Sequence, residues 1–102
     1  MGRKEFFRVI DQQTQLRVTV VTDKGRVTRF LVQLEILLAD DWCPVARYDT
    51  HHGFAHLDVL HRHGTTDKIR IVAKDFNEAL HIAFADLVTN WDRYVETYMK
   101  ES

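Results

Sequence analysis

The C-terminal quarter of the chain constrains the fold most, because its pattern is that of one long amphipathic helix. No proline or glycine interrupts the segment from Asp75 to Ser102. Asp75 and Glu78, three residues apart, form a capping box, which marks a helix N-terminus. Apolar residues then recur at steps of three and four, at Phe76, Leu80, Ala83, Leu87, Trp91, Tyr94 and Tyr98. We predict a helix from about Asp75 to about Tyr98, with Leu80, Leu87 and Trp91 buried against another layer.

That other layer is predicted to be a β-sheet, because the preceding residues alternate with a period of two. The clearest alternation, in Thr28–Leu38, puts one set of apolar residues on one face: Phe30, Val32, Leu34, Ile36 and Leu38. Asp23-Lys24-Gly25 before it predicts a hairpin with a three-residue loop that pairs Val20 with Thr28. Further strand signals lie at Glu5–Ile10, Leu16–Val21, Val45–Asp49, Phe54–Leu60 and Lys68–Val72. We predict an α+β fold, an antiparallel sheet of four or five strands with the helix packed on one face.

Length and composition exclude several classes of protein. A chain of 102 residues forms one domain, residues 1–102. Its formal net charge is −1 with neutral histidines, so nucleic-acid binding would need a local basic patch. Cys43 is the only cysteine, which excludes an internal disulfide. No apolar run approaches the ~20 residues that cross a bilayer, and the N-terminus lacks a signal-peptide pattern. We therefore expect a cytoplasmic protein with no membrane contact.

The stretch from Arg47 to His63 concentrates the chemistry of the chain. Five of the six histidines lie in it, namely His51, His52, His56, His61 and His63. Asp49 and Asp58 lie among them. Strand propensity does not favour histidine, so this density requires an explanation. One is structural: a polar hairpin face whose imidazoles are each hydrogen-bonded locally.

The predicted hairpin gives these residues a common face. If Val45–Asp49 and Phe54–Leu60 pair around Thr50–Gly53, Arg47 lies opposite His56. The face away from the apolar residues then carries Arg47, Asp49, His56 and Asp58.

Acid–base catalysis on a phosphodiester, without a cofactor, is the first functional interpretation. His56, His61 and His63 would exchange protons with the substrate. Arg47 would stabilise the charge on the phosphate, and Asp49 would orient a histidine ring. His61 and His63 lie beyond the strand end, so they would have to fold back to join the others.

A divalent transition metal site is the third interpretation, after acid–base catalysis and a binding module, and it would make the protein a metal-dependent hydrolase. The imidazole and carboxylate ligands would come from His56, Asp58, His61 and His63. This ligand set suits zinc, manganese or non-haem iron. Its spacing matches no established ligand signature.

The motif also resembles a known family. RYDTHHG, followed by His61-Arg62-His63, is similar to the pattern of TumE-type toxins of prokaryotic toxin–antitoxin systems. The residues that carry the resemblance are Arg47, Tyr48, Asp49, His51, His52, His61 and His63. The layout is similar over Phe30–Tyr98, and it also resembles small prokaryotic proteins of unknown function with a Tyr-Asp…His-Gly…His motif. The resemblance implies a small toxin-like or otherwise mobile-element-associated protein, with an antitoxin protein as partner. Together with the acid–base interpretation, it predicts a protein that acts on RNA and is ribonuclease-like in activity.

A non-catalytic binding module is the main alternative to acid–base catalysis, ahead of the metal site. Leu31 and Leu37 interrupt the polar face of Thr28–Leu38, which indicates partial cover on that side. An antitoxin or a second copy of the chain, in a homodimer, would supply that cover.

Overall fold

The computed structural model describes residues 1–101 and shows two layers, a six-stranded antiparallel sheet and one long helix. The strands pair in chain order, each with the next. The predicted α+β architecture is confirmed, but the predicted strand count is wrong, because both ends of the sheet pair fully. The elements are β1 Gly2–Asp11, β2 Thr14–Asp23, β3 Arg26–Leu38, β4 Asp41–Asp49, β5 His56–Leu60, β6 Thr66–Arg70 and α1 Phe76–Lys100.

The helix begins where the capping box predicted. The Asp75 carboxylate accepts a 2.9 Å hydrogen bond from the backbone N–H of Glu78. The helix runs to Lys100, slightly past the predicted end. Its buried residues are Ala79, Ala83 and Leu87. Leu80 and Trp91 are only partly buried, because small alanines form the line of closest contact with the sheet.

The core lies between this helix and the even-numbered residues of β2 and β3. The predicted alternation of β3 is confirmed, since Phe30, Val32, Leu34 and Ile36 are all buried on the helix side. The other side carries the odd-numbered residues of β1 up to Val9, of β2, and of β3 from Arg29, together with Arg47 and Asp49 of β4 and the even-numbered residues of β5 and β6. Register shifts reverse the parity elsewhere, so Val27 and Cys43 pack against the core. We call this second side the outer face.

Both predicted hairpin registers are wrong by two residues. Val20 pairs with Phe30 for two reasons. The turn contains only Lys24 and Gly25, both with positive φ, and a register shift between Val21 and Thr22 adds one more residue on β3. Asp49, rather than Arg47, lies opposite His56. A slip of two residues keeps every side chain on its predicted face, since the period of a strand is two.

The connection between β4 and β5 explains the second slip. It runs from Thr50 to Ala55 and contains a short 3₁₀ turn at His51–Gly53. Its Thr50 hydroxyl accepts a hydrogen bond from the backbone N–H of Phe30, 3.2 Å away. This contact anchors the connection to β3.

Within residues 1–101, no helix is long and apolar enough to cross a membrane.

Candidate functional site

Three of the predicted site residues meet on the outer face. Asp49 and His56 are a cross-strand pair of β4 and β5, and Arg47 lies opposite Asp58 one step along. Residues two apart on a strand share a face, so Asp58 lies beside His56. One ligand atom from each of Asp49, His56 and Asp58 lies within 4.8 Å of the other two. This group, called here the Asp–His–Asp cluster, can hold a metal ion.

The imidazole of His56 lies at the centre of the cluster. Its Nε2 is 2.8 Å from Asp49 Oδ1 and 3.7 Å from Asp58 Oδ1. Its Nδ1 is 3.3 Å from the backbone carbonyl of Phe54. The carbonyl and both carboxylates only accept hydrogen bonds, and a neutral imidazole has a single N–H to donate. With that proton on Nδ1, the Nε2 lone pair faces the two carboxylates, where a metal cation would be favourable.

Burial of the cluster means that a carboxylate charge without a partner would cost free energy. His56 and Asp58 are buried, and Asp49 is half-buried. The ammonium group of Lys68 lies 3.1 and 3.3 Å from the two oxygens of Asp58. Asp49 also accepts a 3.2 Å hydrogen bond from the backbone N–H of His51. Within residues 1–101, Lys68 is the only lysine or arginine paired with either carboxylate, so a further cation at the cluster would be stabilising.

A cleft with cationic walls opens beside the cluster. Its volume is about 310 Å³, and its lining includes Arg3, Arg29 and Asp49. The Arg3 guanidinium is paired with Glu5 at 2.6 Å. Arg29 is exposed and makes no ion pair with any residue from 1 to 101. The cleft therefore offers an anion a positive contact next to the most exposed carboxylate of the cluster.

A buried polar network holds Arg47 on the same face. Arg47 Nε donates to Gln33, at 2.7 Å, and Gln33 donates to Glu35 at 2.7 Å. Glu35 also accepts from Gln15 and Arg17. Burial alone would raise the pKa of Glu35, but the hydrogen bonds it accepts lower the pKa below its ordinary value. Gln33 and Glu35 were not predicted as part of the site, although the alternation of β3 places both on this face.

His61 and His63 do not join the cluster. They follow the far end of β5, and His61 is five residues from His56, which is roughly 16 Å along a strand. His61 Nδ1 is 2.6 Å from Glu101, and its Nε2 is 2.7 Å from Asp67. The ring of His63 stacks on it at 5.4 Å. The expected fold-back of these two histidines is wrong, because contacts with the helix end and with β6 hold them in place.

The His61 contacts predict a pH-dependent stability. Hydrogen bonds with Asp67 and then Glu101 raise the pKa of His61 above its ordinary value. A raised folded-state pKa stabilises the fold below about pH 6.5, and that stabilisation is lost as the pH rises through the folded pKa. We expect the melting temperature of wild type to decline over this range and that of His61→Asn to decline less. The exposed His81→Asn is the matched control, and a wild-type slope retained in His61→Asn would contradict the assignment.

Tyr48, a residue of the motif, points away from the cluster. Its hydroxyl donates to Asp86 Oδ2 at 2.7 Å, and Tyr94 donates to the same oxygen at 2.6 Å. Burial first, and then the bond to the Asp86 carboxylate, raise the pKa of both phenols above the ordinary range. Both remain protonated donors, so this network fixes α1 on the sheet. The sequence did not predict this network, because Asp86 lies 38 positions from Tyr48 and no local pattern links the two residues.

The comparisons with known proteins identify the family. No curated protein and no solved structure matches the chain. One family model matches residues 1–102, which is the whole chain, and its description is a domain of unknown function, DUF7718. The chain therefore belongs to the DUF7718 family.

Proposed function

We propose that this protein is a metal-dependent hydrolase of phosphodiester bonds in RNA, centred on the Asp–His–Asp cluster. One observation carries the proposal: His56 Nε2 faces Asp49 and Asp58, at 2.8 and 3.7 Å, next to a cleft lined by Arg29. One imidazole and two carboxylates form a ligand set that suits manganese, zinc or non-haem iron.

The contacts of His56 favour a ligand over a metal-free acid or base. Both ring nitrogens are engaged, and only 5% of the residue is exposed. A general acid or base must reach the proton it transfers, directly or through one water, and this ring has no open side. A ligand histidine, in contrast, commonly donates its second N–H to a backbone carbonyl, and Phe54 supplies that contact.

The surrounding residues divide the remaining tasks. Asp49 and Asp58 bring the negative charge that a divalent ion needs, and Lys68 orients Asp58. Arg29 and Arg47 offer guanidinium groups for phosphate oxygens, the geometry that arginine recognises best. When bound, a divalent ion supplies an activated water and polarises the phosphate.

The resemblance to TumE-type toxins supports RNA as substrate and growth arrest as the biological outcome. We expect Mn²⁺-dependent cleavage of labelled RNA and growth arrest on induced expression of wild type. His56→Ala, Asp49→Asn and Arg47→Ala should each reduce both by about 100-fold or more, as expected for a group that stabilises charge in the transition state.

His81→Ala serves as the control, since His81 is exposed on the helix face and remote from the cluster. Melting curves of the variants separate a lost site from a lost fold. Wild type that spares its host and leaves RNA intact with Mn²⁺, Zn²⁺ or Fe²⁺ would overturn the proposal.

A protein-binding module is the second candidate, and the free edge of β1 favours it. All residues of β1 except Ile10 are exposed, and Phe6, Phe7 and Val9 lie on this edge strand. An open strand edge is a template for pairing with another chain. An antitoxin or a second copy of this chain would add a strand there, and the solution mass with and without a co-expressed partner tests this.

A further inference from the structure

We infer that the outer face is a binding track for single-stranded nucleic acid that leads across the sheet to the Asp–His–Asp cluster. The inference rests on the proposed function and specifies the form of its substrate. It follows from the charge, the aromatic groups and the register of the face.

The first support is charge. The strand register places six cationic side chains on the outer face: Arg3, Arg17, Arg29, Arg47, Lys68 and Arg70. The acidic residues of the strands on this face are Glu5, Asp23, Glu35, Asp49 and Asp58, and Asp23 pairs across its hairpin with a seventh cation, Arg26. The face therefore has an excess of two positive charges, although the whole chain carries −1. This is the local basic patch that a nucleic-acid binder of neutral composition requires.

The second support is a pair of arginine–aromatic stacks on opposite sides of the cluster. The Arg17 guanidinium lies 4.7 Å from the ring centre of Phe7, near the β1 edge. The Arg70 guanidinium lies 4.8 Å from the ring centre of Phe54, near the β6 edge. Unpaired bases stack on aromatic rings and on guanidinium planes, so each stack is a platform for one base.

The third support is the row that connects the two edges. Successive cross-strand partners run from Phe7 through Arg17, Gln33, Arg47 and Asp58 to Lys68. Adjacent strands lie about 4.8 Å apart, so the row spans roughly 24 Å and its cations recur about every 10 Å. A backbone laid along this row passes Arg47 immediately before it reaches the cluster.

A single strand fits this surface better than a duplex or a protein. In a duplex the bases are stacked on each other, so none would be free to stack on the rings of Phe7 and Phe54. An acidic peptide would satisfy the arginines but would leave the aromatic platforms without flat partners. The phosphate and base together account for both kinds of group on the face.

The test is fluorescence anisotropy with the full chain in EDTA, so that hydrolysis cannot interfere. The probes are labelled single-stranded RNA and DNA of about 12 nucleotides, within the ~4–16 nucleotides typical of such sites, and a duplex of the same sequence. We expect both single strands to bind more tightly than the duplex, with affinity falling steeply with salt.

Two pairs of matched variants locate the track. Phe7→Leu should weaken binding by about tenfold, whereas Phe6→Leu, on the helix side of the same strand, should not. Arg70→Gln should weaken binding and reduce the salt slope by about one. Arg8→Gln should leave both unchanged, although Arg8 likewise lies over a ring, Phe84, on the helix side.

The outcomes separate the track from the hydrolase. Equal effects within each pair, tighter duplex binding, or no binding of either single strand would overturn the track. If the single strands bind as expected but no metal-dependent cleavage occurs, the binding track is supported and the hydrolase proposal is refuted. If the protein cleaves bis(para-nitrophenyl) phosphate but binds neither oligonucleotide, the hydrolase proposal is supported and the binding track is refuted.

Discussion

Replacing His56 with glutamine is expected to lower the affinity of the metal-free protein for Mn²⁺ or Zn²⁺ by at least about 100-fold. Loss of a supporting contact around a metal already costs ~10–100-fold, and His56 is the only imidazole in the cluster. The measurement is titration calorimetry after EDTA treatment. A near-stoichiometric ion in wild type should also raise its melting temperature, because binding to the native state alone stabilises it.

His61→Gln is the matched control for this measurement. His61 also lies between two carboxylates, those of Asp67 and Glu101. The proposed ion lies at His56, so His61→Gln should keep wild-type affinity. Equal losses in the two variants, or wild type that binds neither metal, would contradict the assignment.

Leu87→Ala is expected to lower the free energy of unfolding by about 2–5 kcal/mol, the range for large-to-small core changes. Leu87 is fully buried between α1 and the sheet, where truncation leaves a cavity. Urea denaturation measures the change. Ile82→Ala, on an exposed position of the same helix, should cost much less. A loss below about 0.5 kcal/mol for Leu87→Ala would mean that the helix does not pack as described.

The faces of the strands were predictable, because alternation reports which side chains point together. The period of two in β3 predicted the core side, and a slip of two residues in either hairpin did not alter it. Alternation in β4 and β5 likewise predicts that Asp49, His56 and Asp58 share one face. Alternation does not show how far a side chain is buried below the surface. The burial of His56 and Asp58 is therefore visible only in the structure.

The turns were less predictable, because their conformations are unusual. The β4–β5 connection includes His52 at φ 73°, a left-handed conformation that non-glycine residues rarely adopt. Gly53 follows at φ 86°, and together they lengthen the connection beyond the predicted loop. No residue type in this stretch marks a left-handed histidine, so the register could not be derived from it.

The separation of His61 from His56 was unpredictable for a different reason. Glu101, which holds His61, lies forty positions away in the chain. That contact depends on where α1 ends, and the capping signals that mark a helix start have no counterpart near Lys100. A residue pattern confined to one hairpin cannot report a partner supplied by a distant helix end.

The most direct test of the proposed metal centre is a crystal grown with Mn²⁺ and measured for anomalous scattering. We predict a single strong peak enclosed by Asp49, His56 and Asp58, within direct coordination distance of one ligand atom of each. No anomalous peak at the cluster, with His56 still 2.8 Å from Asp49, would contradict the account.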